Sequence, residues 1–342
     1  MTDDFGIESL PPVEDVPAPF TATVGALLER MGRTGFQAKS LAQCATVWER
    51  MAEEDGVIML GLAGSLSTTG QSQLVRWLIR ERLVDLVVST GANLTEDLLP
   101  GLGFPYRQGS HVADDADLAR RRIDRFYDVY ASEWDYRAME DLLATFLRDV
   151  GSVQLSSAGL LRLLGRFLGD RGIDSIVQAA YDAKVPIFSP ALADCGLGVA
   201  AAVVATNGED VPVLDGIADF VQLSRVASAF PVRSVVYLGG GVPKDTLQLT
   251  AVLADLVSVG AQSPHRHAIQ ITTDSPQWGG LSGCTLEEAV SWGKIDPEGE
   301  SVTCHCDVSI ALPLICYALQ ERGVKRAIVP DVSSVLDETV RA

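Results

Sequence analysis

Short apolar runs rich in β-branched residues alternate along this chain with longer stretches whose apolar residues recur at helical spacing. Val57-Ile58-Met59-Leu60 reads as a buried strand and runs into Gly61-Leu62-Ala63-Gly64-Ser65. From Gln73 to Leu83, apolar residues at 74, 75, 78 and 79 line one face of a helix. Leu86-Val87-Val88 reads as a second strand, followed by Ser89-Thr90-Gly91-Ala92-Asn93. The same pattern predicts strands at 185–188, 200–205, 234–238, 268–272 and 302–306, and helices at 174–184, 215–229, 245–259, 285–292 and 309–321. Strands apolar throughout, separated by helices, predict an α/β fold with a parallel sheet covered on both faces. A charged stretch at about 113–170, ending in the apolar-periodic Leu160 to Leu168, predicts a helical insert. Residues 1–20 carry four prolines and a cluster of acids and are expected to form a mobile N-terminal arm.

Size and composition narrow the class. With 342 residues, 47% hydrophobic and 21% charged, the chain is long enough for one large domain or two small ones and is not disordered. Its longest apolar runs, Leu197 to Thr206 and Ile310 to Leu319, fall short of the roughly 20 residues a membrane helix needs. The opening MTDDFGIESL lacks a basic segment followed by an apolar one, so no secretory signal is read there and a cytoplasmic protein is expected. Forty-five acids against 27 Lys plus Arg leave a formal charge of −18. Such a surface repels nucleic acid and anionic lipid and attracts cations or basic proteins, though it also serves solubility alone. The six cysteines are expected to be free thiols. Cys304-His305-Cys306 does not have zinc-site spacing, and on a strand its middle residue points away from the other two, so no metal is expected.

Glycine-rich or small-residue segments follow the predicted strands repeatedly: Gly64-Ser65 to Gly70, Ser89 to Asn93, Cys195 to Gly198, and Gly239-Gly240-Gly241. Any one of them can be a plain turn. Four such segments after strands fit a phosphate or nucleotide site at the carboxyl ends of a sheet, although no G-x-G-x-x-G is present. Acids recur in the same places, at Glu96, Asp194, Asp274 and Asp307. Each can accept from ribose hydroxyls or can cap a helix. Lys294 follows Trp292-Gly293 at the end of an apolar helix. It reads either as a charge favoured by the helix dipole or as a desolvated amine able to attack an imine. Trp292 can stack on a cation.

These residues carry a resemblance. The chain is similar to the deoxyhypusine synthase family from Thr34-Gly35-Phe36-Gln37-Ala38 to about residue 320. The marks are Ser89-Thr90-Gly91 with Glu96-Asp97, Ser189-Pro190-Ala191-Leu192-Ala193-Asp194, Leu238 to Gly241 with Pro243-Lys244, Glu288-Ala289-Val290-Ser291-Trp292-Gly293-Lys294, and Asp307. The resemblance implies a Rossmann-like sheet, a single NAD-binding domain over 21–342, and a homotetramer with NAD near subunit interfaces. It also implies the chemistry: a hydride passes from spermidine to NAD, 1,3-diaminopropane is lost, and the aminobutyl group is held as an imine on Lys294. The group then passes to an acceptor amine, and the new imine is reduced. By the same resemblance the NAD contacts are Ser65, Thr90, Gly91, Glu96, Asp194, Gly240, Thr273 and Asp307, and Trp292 and Glu288 line the polyamine site.

The departures from the family pattern concern the amine site. Asp245 stands where the family has a His after the motif Lys. Gly198 is followed by Val199 where the family has an acid, and Trp278-Gly279-Gly280-Leu281-Ser282-Gly283 replaces an acid-bearing stretch. Asp245 restores one negative partner for an amine. The pattern resembles the bacterial deoxyhypusine synthase-like branch and implies a homospermidine synthase-type reaction with a free diamine acceptor. The alternatives are true deoxyhypusine synthase acting on a protein lysine, and a non-catalytic NAD-binding family member, against which the retained Lys294 and Trp292 argue.

Overall fold

The computed structural model describes residues 12–16, 22–257, 263–280 and 282–336. Most of the expected N-terminal arm and Leu281 lie outside the described residues. Six strands form one parallel sheet: β1 (Val57–Leu62), β2 (Leu86–Ser89), β3 (Ile187–Phe188), β4 (Arg233–Leu238), β5 (Ala268–Thr272) and β6 (Ser301–His305). Their order across the sheet is β3-β2-β1-β4-β5-β6, with every neighbouring pair parallel. This is the doubly wound dinucleotide-fold order.

The strands are apolar on both faces because both faces are covered. Side chains alternate across a strand. Ile58, Leu60 and Leu62 therefore pack in one cluster with Trp48, Leu78 and Ile315, from helices Phe36–Glu53, Ser72–Arg80 and Val308–Glu321. Val57 and Met59 pack on the other face with Leu223, Leu247 and Leu286, from helices Gly216–Ala229, Gly241–Val257 and Leu286–Ser291. Every residue of β1, β2, β4 and β5 is buried.

Two expectations need correction. The segment 200–205 is not a strand but lies within the helix Gly196–Thr206. An unbroken Gly, Ala and Val run has no periodicity to separate the two states. Its alanines favour helix, and the apolar side of the helix Glu133–Val150 gives it something to pack against. The insert at 113–170 is not wholly helical. It holds helices Asp115–Arg120, Glu133–Val150 and Ser157–Gly169, but also an antiparallel hairpin of Ile123–Phe126 and Val129–Ser132, extended by Arg107–Gln108. Alternating Ile123, Arg125, Val129 and Ala131 carry a period of two that the surrounding charges mask.

Candidate active site

The sheet order creates a crevice. From β1 the chain leaves through the helix Ser72–Arg80 on one face; from the adjacent β4 it leaves through Gly241–Val257 on the other. Where neighbouring connections diverge, a gap opens beyond the carboxyl ends of the strands, and ligands of such folds bind there. Ala63 N donates to Leu238 O at 2.9 Å, closing the ladder at the floor of this gap. Gly239 follows at φ +82°, a conformation that favours glycine.

All of the expected cofactor residues follow the carboxyl ends of these strands. Ser65 comes after β1, Thr90 and Gly91 after β2, Asp194 after β3, Gly240 after β4, Thr273 after β5 and Asp307 after β6. Ser65, Asp194, Thr273 and Asp307 are exposed there. The edges are not brought together. Asp194 and Asp307 follow outermost strands five interstrand spacings apart, about 24 Å across the sheet. Asp307 also serves as a helix cap: its Oδ1 accepts from Ser309 N at 2.7 Å and from Ser309 Oγ.

The β1 and β2 ends are fastened by Asn93, a residue the sequence did not single out. Its Nδ2 donates to Gly64 O at 2.6 Å and to Thr90 Oγ1 at 3.2 Å. Its Oδ1 accepts from Leu66 N and Ser67 N. A Cβ on Gly91 would sit 2.7 Å from Cys195 Sγ, so glycine there lets the loop of Asp194 close against Thr90.

Glu96 ends the short helix Gly91–Glu96. Its Oε2 is buried with no protein partner, and burial pushes its pKa up to about 7. The next residue, Asp97, is fully buried and accepts from Arg76 Nη2 at 2.5 Å and from Ile176 N. The network holds the end of the short helix where Glu96 leaves it. A carboxylate oxygen left without a protein donor, at the end of the helix that follows β2, fits the ribose hydroxyls of a dinucleotide.

The second half of the site starts beside the end of β4, where Ser282 meets Gly240, and runs back to the segment entering β5. The helix Leu286–Ser291 starts at Thr285, whose Oγ1 accepts from Glu288 N. It ends in a Schellman motif: Lys294 N donates to Ala289 O and Gly293 N to Val290 O, with Gly293 at φ +66°. The Trp-Gly-Lys string is thus a helix stop that presents Lys294. Lys294 O then accepts from His265 N at 2.9 Å, tying the turn to the segment entering β5. Lys294 is half-buried, and its Nζ lies 5.0 Å from the ring centroid of Trp292, itself 65% exposed. Glu288 is exposed. Burial raises the pKa of the half-buried Asp245, against the pull of Lys244 and Lys294. Lys244, marked only as part of a motif, is completely buried; burial lowers its pKa, while Cys284, Asp245 and Glu288 favour its charge and Lys294 opposes it.

Among the described residues no helix is long and apolar enough to cross a membrane, and no group of three or more His, Cys, Asp and Glu is placed to hold a metal ion.

Known proteins resemble this chain in sequence and in fold. The sequence profile of the deoxyhypusine synthase family matches residues 26–319. A "Probable deoxyhypusine synthase 2" of Methanosarcina mazei is 42% identical over 309 residues, covering 89% of each chain. A "Deoxyhypusine synthase-like protein" of Chlorobaculum tepidum is 34% identical over 317 residues, 91% of this chain and 90% of the relative. In fold, the chain is similar to a deoxyhypusine synthase structure from Entamoeba histolytica, with a TM-score of 0.60 at 17% identity, over 88% of this chain and 93% of that one. The chain belongs to the deoxyhypusine synthase family, transferases that use NAD to move an aminobutyl group from spermidine.

Proposed function

We propose that this protein transfers the aminobutyl group to a free diamine, in a homospermidine synthase-type reaction. The observation that carries the reading is the makeup of the amine site. Asp245 feels the charge of Lys294, and Asp245 and Glu288 both act on Lys244 beside it, while Val199 lies exposed where the family has an acid. A buried ammonium needs a carboxylate partner. Two carboxylates match the two ends of a diamine better than the several charges of a longer amine.

In this reading Ser65, Thr90, Gly91, Glu96, Asp194, Gly240, Thr273 and Asp307 hold NAD. When bound, NAD supplies the hydride acceptor that turns the secondary amine of spermidine into an imine, and the hydride is returned at the end. Lys294 Nζ attacks the imine carbon. The C–N bond to 1,3-diaminopropane breaks, and the departing nitrogen keeps the electron pair and takes a proton. The aminobutyl carbon is then double-bonded to Lys294. A diamine nitrogen adds to that carbon and displaces Lys294, and reduction of the new C=N bond gives homospermidine with no net oxidation. Glu288 and Asp245 hold ammonium ends, and Trp292 stacks on one of them. In the homotetramer that the family resemblance implies, a neighbouring copy would complete each cofactor site, since Asp194 and Asp307 lie about 24 Å apart across one sheet.

The second reading is deoxyhypusine synthase acting on a protein lysine. It is favoured by the name of the 42% identical Methanosarcina mazei relative. Incubation with NAD and labelled spermidine, with putrescine or with a hypusine-type acceptor protein, separates the two. Labelled homospermidine supports the diamine reading, and protein labelling without it overturns that reading.

A further inference from the structure

Lys244 is the most deeply buried lysine at the site, and nothing in the reaction described above uses it. Its side chain is fully buried, and its three ammonium protons meet three neutral acceptors. Nζ donates to Gln270 Oε1 at 2.8 Å, to Ser282 O at 3.2 Å and to Cys284 O. Burial lowers the pKa of Lys244, but its three partners can only accept and so favour the protonated ammonium, which holds Lys244 as a donor and not as a second nucleophile. Asp245 and Glu288 favour its charge but no carboxylate bonds it directly among the described residues, so its burial is costly, and a methionine would fill the same space at lower cost.

What the charge joins explains its presence. Gln270 lies on β5 and is itself fixed, its Nε2 donating to Gly239 O at 3.1 Å. Ser282 and Cys284 belong to the stretch that leads directly into Thr285, the cap of the helix carrying Glu288 and ending at Lys294. Ser282 also presses on the glycine turn after β4, where a Cβ on Gly240 would fall 1.8 Å from Ser282 Oγ and 2.8 Å from Ser282 Cα. With Gly283 at its centre, Ser282-Gly283-Cys284 has little stiffness of its own. Its backbone carbonyls are held by Lys244 against a rigid strand.

We propose that Lys244 is the positioning residue of the amine site, an ammonium clamp that ties Ser282 and Cys284 to β5 and so sets where Glu288 and Lys294 stand relative to the sheet edge. The proposal rests on Lys294 being the imine-forming lysine. Without the clamp the lysine helix is still capped and still tied to His265, but its approach from the Ser282 side loosens. Misplacement of a reacting group by about 1 Å can cost on the order of a hundredfold in rate.

The test uses Lys244→Met in the full-length protein, with three readouts. Borohydride trapping of the spermidine-derived chain on Lys294, with NAD present and spermidine varied, gives an apparent KM and a maximal rate. The NAD-induced thermal shift reports the cofactor half of the crevice. The alkylation rate of Cys284 by iodoacetamide, read by peptide mass, reports the clamped stretch directly. The clamp predicts at least a tenfold rise in apparent KM for spermidine, slower trapping and faster Cys284 alkylation, with the NAD shift retained. Unchanged trapping and unchanged Cys284 alkylation overturn it, as does a borohydride tag on Lys244 in the wild type. If the wild type is not tagged at Lys294, the nucleophile assignment falls, while Cys284 alkylation still decides the clamp. If Lys244→Met does not fold, Gln270→Leu removes one of the three acceptors. It should then move KM and Cys284 alkylation in the same directions by a smaller factor, and no movement refutes the clamp.

Discussion

Glu96→Gln isolates the buried carboxyl at the end of the helix Gly91–Glu96. In the folded protein, burial lifts its pKa from 4.5 to about 7, and its Oε2 has no protein donor. Between those two values the folded chain keeps a proton that the unfolded chain has released, so stability falls as pH rises. The loss begins above about pH 4.5 and is complete above about pH 7. A gap of about 2.5 pH units at ~1.36 kcal/mol each comes to ~3 kcal/mol. With an unfolding entropy of about 2.1 cal/mol/K per residue over 342 residues, that corresponds to roughly 4 °C in Tm. Without NAD, the wild type should therefore lose about 4 °C relative to Glu96→Gln between pH 5 and pH 8. Asp219, also raised by burial to about 6, titrates in both proteins and cancels in the comparison. Donors from a ribose favour the ionised carboxylate, so the wild-type thermal shift on adding NAD should grow from pH 5 and level off above pH 7. In Glu96→Gln the shift should be smaller and flat. Scanning fluorimetry across this range, with and without NAD, measures both effects. Parallel Tm curves for the two proteins without NAD would show that the carboxyl is not desolvated as described. A pH-independent NAD shift in the wild type would remove Glu96 from the cofactor site.

Other perturbations address separate parts of the site. Lys294→Arg keeps the charge but cannot form the imine; borohydride trapping should vanish while the NAD thermal shift remains, and undiminished transfer would refute the assignment. Asp97→Asn leaves Arg76 with Asp174 as its remaining carboxylate and weakens the buried charged bond, and should cost about 1.5–3 kcal/mol, read as a lower urea midpoint. Gly240→Ala drives a Cβ into Ser282 and should cost roughly 1–3 kcal/mol, with weaker trapping on Lys294; wild-type stability and trapping would mean that the turn yields freely.

Much of the site was legible because a parallel α/β sheet collects its strand ends on one edge whatever their order in the chain. A glycine or an acid just past an apolar run is therefore placed near the crevice by topology alone. The segments holding Ser65, Thr90, Gly91 and Gly240 follow from that rule, Thr273 came only with the family resemblance, and Lys294 stood out through the Trp-Gly-Lys string, which proves to be a Schellman stop. The dual reading of acids past strands was needed: Asp307 spends its Oδ1 on a helix cap, whereas Glu96 leaves a buried oxygen without a partner. Asn93 and Lys244 gave no local signal. Asn93 acts on residues 26 to 29 positions earlier, and Lys244 acts on carbonyls 38 and 40 positions later.

Period and composition alone determined the alternation of strands and helices and the parallel sheet covered on both faces, because strands buried on both sides must be apolar throughout; the family resemblance rested on motif strings such as Glu288 to Lys294. Where the local pattern was degenerate, tertiary structure decided. The Gly-Ala-Val run at 196–206 is helical because the helix Glu133–Val150 offers it an apolar face. The charged insert folds part of itself into a hairpin. The sheet order, too, is a tertiary outcome. It sets β1 beside β4, opens the crevice between two diverging connections, and leaves Asp194 and Asp307 at opposite edges. Strand order is chosen by the packing of whole helices on the two faces, a sum over contacts between residues distant in sequence, and no local pattern encodes it.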